Sequence, residues 1–274
     1  MLTERVDGEL LDACPTVHVV ANMAVGYDNV DVAAATARGV LVTNTPDVLT
    51  DTTADMAFAL LLAAARRVTE GERAVRAGEW GTWRPDWLLG HDVHGATLGI
   101  VGPGRIGRAV ASRAHGFGMR VTYAGRRETP DFPGEHTEFN ELLEQADFVS
   151  VHVPLTAETE CLFGAEAFRR MKPTAIFVNT ARGGVVDQAA LRTALVRGEI
   201  AAAGLDVTTP EPLPPDDPLL EAPNLVVTPH LGSATGRTRM RMAEIAVEGV
   251  LSACAGEHPR HLVNPEAMAS WRRQ

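Results

Sequence analysis

The sequence predicts an α/β protein: a doubly wound parallel sheet with helices on both faces, joined to a second, smaller and discontinuous domain. Three observations predict it. Short apolar runs recur along the 274 residues, with amphipathic segments between most of them. A glycine-rich turn follows one run and opens a helical segment. A long apolar helix interrupts the alternation just before that turn. Hydrophobic residues at 45% and charged residues at 22% suit a folded chain, and the length suits about two domains.

In chain order, "VHVV" (17–20) and "GVLVT" (39–43) read as buried strands of the first part of the smaller domain, 1–48. A hinge near Leu49 leads into the crossing helix, 55–67. The larger domain, 49–230, then carries "TLGIVG" (97–102), "RVTYAG" (120–125), "DFVSVHV" (147–153), "TAIFVN" (174–179), "AAAGLDV" (201–207) and "NLVVT" (224–228) as buried strands. Helical segments at 105–117, 139–145 and 188–197 separate them, and strand–helix–strand repetition means parallel pairing. The proline-rich loop 208–218 cannot be regular structure. The chain returns to the smaller domain over 231–274, where the last helix, 235–254, packs.

Several classes are excluded at this level. A net charge of -10 with no long basic run argues against a nucleic-acid partner. The longest apolar run, 56–65, is too short to span a bilayer and ends on Arg66 and Arg67, so no membrane role is expected. Cys14, Cys161 and Cys254 lie far apart without metal-like spacing, so no metal site is expected. With no signal-peptide pattern at the start, the expected compartment is the reducing cytoplasm.

"GPGRIG" places Gly102, Gly104 and Gly107 in the G-x-G-x-x-G arrangement, after a strand and before a helix. That context points to a Rossmann-like dinucleotide site, with the pyrophosphate on the helix N-terminus. About twenty residues further on, such sites commonly carry a carboxylate for the adenosine ribose. Here the position is Gly125, followed by Arg126 and Arg127. Glycine removes the repulsion of a 2′-phosphate, and two guanidinium forks suit a dianion. NADP(H) is therefore the expected cofactor, with NAD(H) possible. Solvated charges at a strand end would also account for the arginines.

Ligands of open parallel sheets bind beyond the carboxyl ends of the strands. Those ends read "NTARGG", "DVTTPEP" and "TPHLGSAT", and each offers one useful group: Arg182, Glu211 and His230. An arginine clamps a carboxylate. A histidine is the proton donor suited to neutral pH, and an adjacent carboxylate favours its charged form and fixes its tautomer. Beside a nicotinamide these suffice to reduce a 2-keto acid. Singly, each has a plainer account as a surface, loop or cap residue.

With these motifs in hand, "VHVPLT", "NTARGGVVD", "AAAGLDVTTPEPLP", "TPHLGSAT" and "NTPDVLTDTTADMA", the chain resembles the D-isomer-specific 2-hydroxyacid dehydrogenases. Within them it is most similar to the glyoxylate and hydroxypyruvate reductases. The resemblance implies a Rossmann-like cofactor domain, a smaller flavodoxin-like substrate domain, an active site in the cleft, and a homodimer. It implies His230 as the proton donor, Glu211 as its partner, and Arg182 as the group that binds the substrate carboxylate and polarises the carbonyl. It also assigns the backbone amides at Val25 and Gly26 to the substrate carboxylate, and Arg105 and Ile106 to the pyrophosphate. Pro154, Thr180, Ala181 and Asp206 match positions lining the nicotinamide half. Trp80, Trp83 and Trp87 resemble a dimerisation arm, although local packing would explain them more simply. Family members carry additional chain before the segment matching the start, so 1–48 reads as an incomplete first part, shortened at the N-terminus. A nucleotide-sensing regulatory protein on the same fold is the alternative function.

Overall fold

The computed structural model describes residues 4–271 and divides into two units. The larger is Thr50–Gly232; the smaller is the chain up to Leu49 together with the chain from Ser233 onward. The second crossing comes two residues after the 230/231 expected from sequence, because the Gly232 N–H is bound to the Asp206 carboxylate at 2.7 Å inside the larger unit.

In the smaller unit the order is α1 (Gly8–Ala13), β1 (Val19–Ala21), α2 (Val32–Ala37) and β2 (Leu41–Thr43), with α9 (Gly236–Cys254) returning at the end. β1 and β2 pair in parallel. β1 begins two residues later than the apolar run, since the Val17 N–H closes a turn onto the Cys14 carbonyl. Val40 and Val42 face a core with Leu11, Val30 and Ala35, while Leu41 faces Ala253, Ala267 and Trp271 on the other side. Buried Asn264 ties the late chain to β2. Its Oδ1 accepts from the Val42 N–H at 2.8 Å, and its Nδ2 donates to the Val40 carbonyl and to Thr36 Oγ1. A fully buried amide is tolerated here because donor and acceptor are both satisfied.

The larger unit opens with α3 (Thr50–Ala65) and α4 (Val68–Arg76). It continues β3 (Thr97–Val101), α5 (Arg105–Gly116), β4 (Arg120–Ala124), β5 (Glu135–His136), α6 (Phe139–Gln145), β6 (Phe148–Val151), α7 (Ala165–Arg170), β7 (Ile176–Asn179), α8 (Gln188–Arg197), β8 (Ala202–Leu205) and β9 (Leu225–Val227). All seven strands are parallel, in the order β5-β4-β3-β6-β7-β8-β9. The chain runs outward from β3 through β4 to β5 and then returns to β6. The topological switch point therefore lies between the carboxyl ends of β3 and β6, where ligands of such sheets bind.

Alternate strand residues feed two cores. Ile176 and Val178 join α3 and α5 through Ala57, Phe58, Leu61, Val110 and Ala114, while Phe177 joins α6, α7 and α8 through Leu142, Phe168 and Leu191. Burial on both faces is why these strands read as continuous apolar runs. α3 starts at Thr50, ahead of its apolar stretch, because its polar first turn is part of the helix. Arg113 of α5 binds the Asp51 and Asp55 carboxylates there. At the amino ends of the strands, Asp147 accepts from the Thr97 N–H at 2.9 Å and from Lys172, the one lysine of the sequence, at 2.8 Å. Burial opposes ionisation of Asp147, but these bonds and the Lys172 charge outweigh it and hold the carboxyl below its usual range.

Candidate active site

The glycine turn joins β3 to α5, and its three glycines differ in what fixes them. A β-carbon on Gly102, whose φ is +102°, would lie 2.7 Å from the His152 carbonyl, and one on Gly107 would lie 2.3 Å from the Gly102 oxygen. Both are required by close backbone approach. Gly104, the N-cap of α5, has nothing within 4 Å of that position, and no side chain caps the helix. Open space beside the first turn of α5, where Arg105 and Ile106 lie, is a cradle that fits a pyrophosphate. His152, whose backbone presses on the turn, bonds Ser150 through its ring at 2.8 Å. Burial of that ring pushes its pKa down to about 3, so it is neutral at physiological pH.

At the end of β4, Gly125 sits against Pro103 of the turn, and Arg126 and Arg127 are exposed. Glu158, in the loop after β6, is held below the usual carboxylate range by its bond from Thr156 and by backbone bonding, with a smaller contribution from the Arg126 charge. Arg126 therefore faces the same side as that loop, whose first residues include Pro154.

The ends of β7, β8 and β9 bring together the three groups singled out in the sequence. Buried Asn179 shapes the turn after β7: its Oδ1 accepts from the Ala181 N–H at 2.9 Å and its Nδ2 donates to the Arg182 carbonyl at 2.8 Å. Thr180 Oγ1 is buried there without a hydrogen-bond partner among the described residues. Arg182 Nη1 donates to the Ala181 carbonyl. The next residue, Gly183, is pressed on the loop after β8; a β-carbon there would meet the Thr208 carbonyl carbon and oxygen at 2.1 Å.

That loop carries Glu211. Its Oε1 accepts from the Thr208 N–H at 3.0 Å, and its Oε2 lies 2.9 Å from His230 Nδ1. Each of the two side chains is about a quarter exposed. Burial raises the Glu211 carboxyl, but the bonds from His230 and Thr208, with the charges of His230 and Arg182, overcome this and hold it below the usual range. The carboxylate is ionised at neutral pH, so Nδ1 is the donating nitrogen and Nε2 is left for a ligand. Gln188, at the start of α8, clamps Thr209 twice, donating to its carbonyl at 2.6 Å and accepting from its N–H at 2.7 Å.

His230 has a φ of +55°, a left-handed conformation uncommon for a residue with a side chain. Asp206 holds it. The Asp206 carboxylate accepts from Thr228 Oγ1 at 2.6 Å and from the Leu231 and Gly232 N–H groups at 2.7 Å, while its carbonyl accepts from the His230 N–H at 2.9 Å. Every acceptor on this 1%-exposed residue is directed to the His230 segment.

In the smaller unit, the loop after β1 turns its carbonyls onto donors. Asn44 Nδ2 donates to Val25 O at 2.9 Å, Asn22 Nδ2 to Gly26 O at 2.7 Å, and the Thr45 N–H to Ala24 O at 2.9 Å. The Val25 and Gly26 amides have no hydrogen-bond partner among the described residues. Among the described residues no group of three or more His, Cys, Asp or Glu side chains could hold a metal, and no helix is long and apolar enough to cross a membrane.

The profile of the D-isomer specific 2-hydroxyacid dehydrogenase NAD-binding domain matches residues 58–232, more than half of the chain and nearly all of the larger unit. The chain belongs to this family. The dehydrogenase is 56% identical to a glyoxylate reductase of Korarchaeum cryptofilum over 273 residues, 98% of this chain and 82% of that one. It is 51% identical over 270 residues to glyoxylate/hydroxypyruvate reductase B of Escherichia fergusonii, covering 96% and 83%. It superposes with a TM-score of 0.89 and 37% identity on an NADPH-dependent glyoxylate/hydroxypyruvate reductase of Sinorhizobium meliloti solved with NADP and malonate, covering 99% and 84%. The dehydrogenase is thus an NAD(P)-dependent oxidoreductase of the glyoxylate reductase branch.

Sequence reasoning passed over three residues that shape these loops. Asn22, Asn44 and Gln188 carry no motif of their own, and an amide in a loop has many ordinary uses. Asp206 was visible only as a strand-end acid or a nicotinamide neighbour; its hold on the His230 segment depends on a contact across 24 residues of chain.

Proposed function

We propose that the dehydrogenase reduces glyoxylate, hydroxypyruvate or a similar small 2-keto acid with NADPH, giving the D-2-hydroxy acid. The observation that carries this reading is the 2.9 Å His230–Glu211 pair, with Arg182 close enough to lower the Glu211 pKa. A bound nicotinamide would supply the hydride. Arg182 binds the keto acid's carboxylate and polarises its carbonyl. His230 gives the proton to the carbonyl oxygen, and Glu211 offsets the positive charge held on the imidazole beforehand. The Val25 and Gly26 amides receive a carboxylate. The glycine turn, with Arg105 and Ile106, holds the pyrophosphate; Pro154, Thr180, Ala181 and Asp206 line the nicotinamide half. Arg126 and Arg127 take the 2′-phosphate, which favours NADP(H) over NAD(H).

The working form is a homodimer. An apolar groove of about 250 Å³ is lined by Val75, Trp80, Trp87 and Leu88, the same stretch of chain exposes Trp83 and Leu89, and a second copy is the occupant we assign to the groove. Three exposed, unpaired cysteines suit the reducing cytoplasm. The test of the chemistry is His230→Gln. NADPH oxidation with glyoxylate should fall by about a thousandfold while NADPH affinity is kept, as expected for loss of a general acid; unchanged turnover would remove His230 from the reaction.

A further inference from the structure

The position that decides nucleotide choice is not open to free substitution. A β-carbon on Gly125 would lie 2.8 Å from Pro103 Cδ and 2.9 Å from its Cγ, closer than packed carbons come. No dihedral constraint of its own keeps residue 125 a glycine, since its φ lies outside the left-handed range. The obstruction is the proline ring. Nor can that ring swing aside as a leucine or lysine would, because it is closed onto its own backbone. The backbone in turn is fixed on both sides. Gly102 has φ +102° against the His152 backbone, its N–H bonds the Ala124 carbonyl at 3.0 Å, and Gly104 leads directly into α5. Val101 and Ala124 are register partners of adjacent strands, so Pro103 and Gly125 are brought side by side by the sheet itself.

We propose that Pro103 and Gly125 act as one specificity element, the proline ring occupying the space that any side chain at 125 would need. A carboxylate that would favour the unphosphorylated ribose is thereby barred from the strand end for as long as Pro103 is present. Selectivity against NADH then rests on two layers: the exposed Arg126 and Arg127, which attract the 2′-phosphate, and the Pro103–Gly125 contact, which keeps out the group that would repel it. This rests on the reading of NADPH as the cofactor.

Four proteins test it: wild type, Gly125→Asp, Pro103→Ala and the double variant. Dissociation constants for NADPH and NADH are measured by nucleotide fluorescence, and melting temperatures are measured without nucleotide. Gly125→Asp alone should weaken both nucleotides and lower the melting temperature by roughly 5 °C, the scale of an overpacked contact in a chain of this size. The double variant should recover most of that loss and shift the NADPH:NADH affinity ratio toward NADH by at least about tenfold beyond either single change, a coupling expected of residues in contact. A ratio that moves as far in Gly125→Asp alone as in the double variant overturns the proposal. Should Gly125→Asp fail to fold, the melting cycle built with Gly125→Ala decides. Recovery in Pro103→Ala/Gly125→Ala upholds the coupling, and additive losses overturn it. A wild type that binds NADH more tightly ends the cofactor reading but leaves the melting cycle to judge the steric contact by itself.

Discussion

At the scale of single residues, Glu211 carries the clearest pH signature. Its carboxyl is held below the ordinary range, so the native state favours its ionised form more than the unfolded chain does. That contribution is present above the ordinary carboxylate pKa and is lost as pH falls through the lower folded value. At neutral pH the charge is fully available to His230. Glu211→Gln keeps the shape and removes the charge; the rate of reduction should fall by about a hundredfold. Steady-state kcat/KM at neutral pH checks it, and a variant that keeps the wild-type rate would take the Glu211 charge out of the reaction.

Among the elements, the loop after β8 is the part on which the others converge. Gly183 of the turn after β7, Gln188 of α8 and the Glu211 carboxylate all meet its backbone at Thr208 and Thr209. Gly183→Ala places a methyl 2.1 Å from the Thr208 carbonyl, so the loop must move. A displacement of the order of 1 Å at Glu211 should cost about a hundredfold in kcat/KM while leaving NADPH affinity within about threefold, since the glycine turn before α5 is a different loop. Isothermal titration alongside steady-state kinetics separates the two. An equal loss in nucleotide affinity would mean the whole sheet end had shifted.

This convergence also marks how far the sequence could be read. Buried strands announce themselves because a parallel sheet demands apolar side chains on both faces, and helices at 139–145 and 188–197 are bounded by sharp changes of pattern. The two-residue β5 and the short helices α1, α2 and α7 have too few residues to impose a period. Gly102, Gly104 and Gly107 are legible as a motif, and Arg182, Glu211 and His230 as strand-end groups. What no pattern reveals is which backbone groups the loops bind. The clamps made by Gln188, Asn44 and Asp206 are contacts between segments distant in sequence, made by residue types that serve many roles.

For the molecule as a whole, the exposed aromatic groove sets an expectation about assembly. Trp80 is 62% and Trp83 79% exposed, an unusual exposure for the largest apolar side chains. Sedimentation should give twice the 29.3 kDa chain mass, and Trp80→Ser with Trp83→Ser should return the monomer. A wild type that sediments as a monomer at tens of micromolar would refute the pairing.

The Lys172–Asp147 contact has a practical corollary. Apart from the α-amino group, reagents that acylate primary amines find one side chain to attack, at the rim of the sheet opposite the glycine turn. Coupling there would tether the larger unit by the amino ends of its strands, with their carboxyl ends turned to the bulk, and would sever an ion pair as it did so.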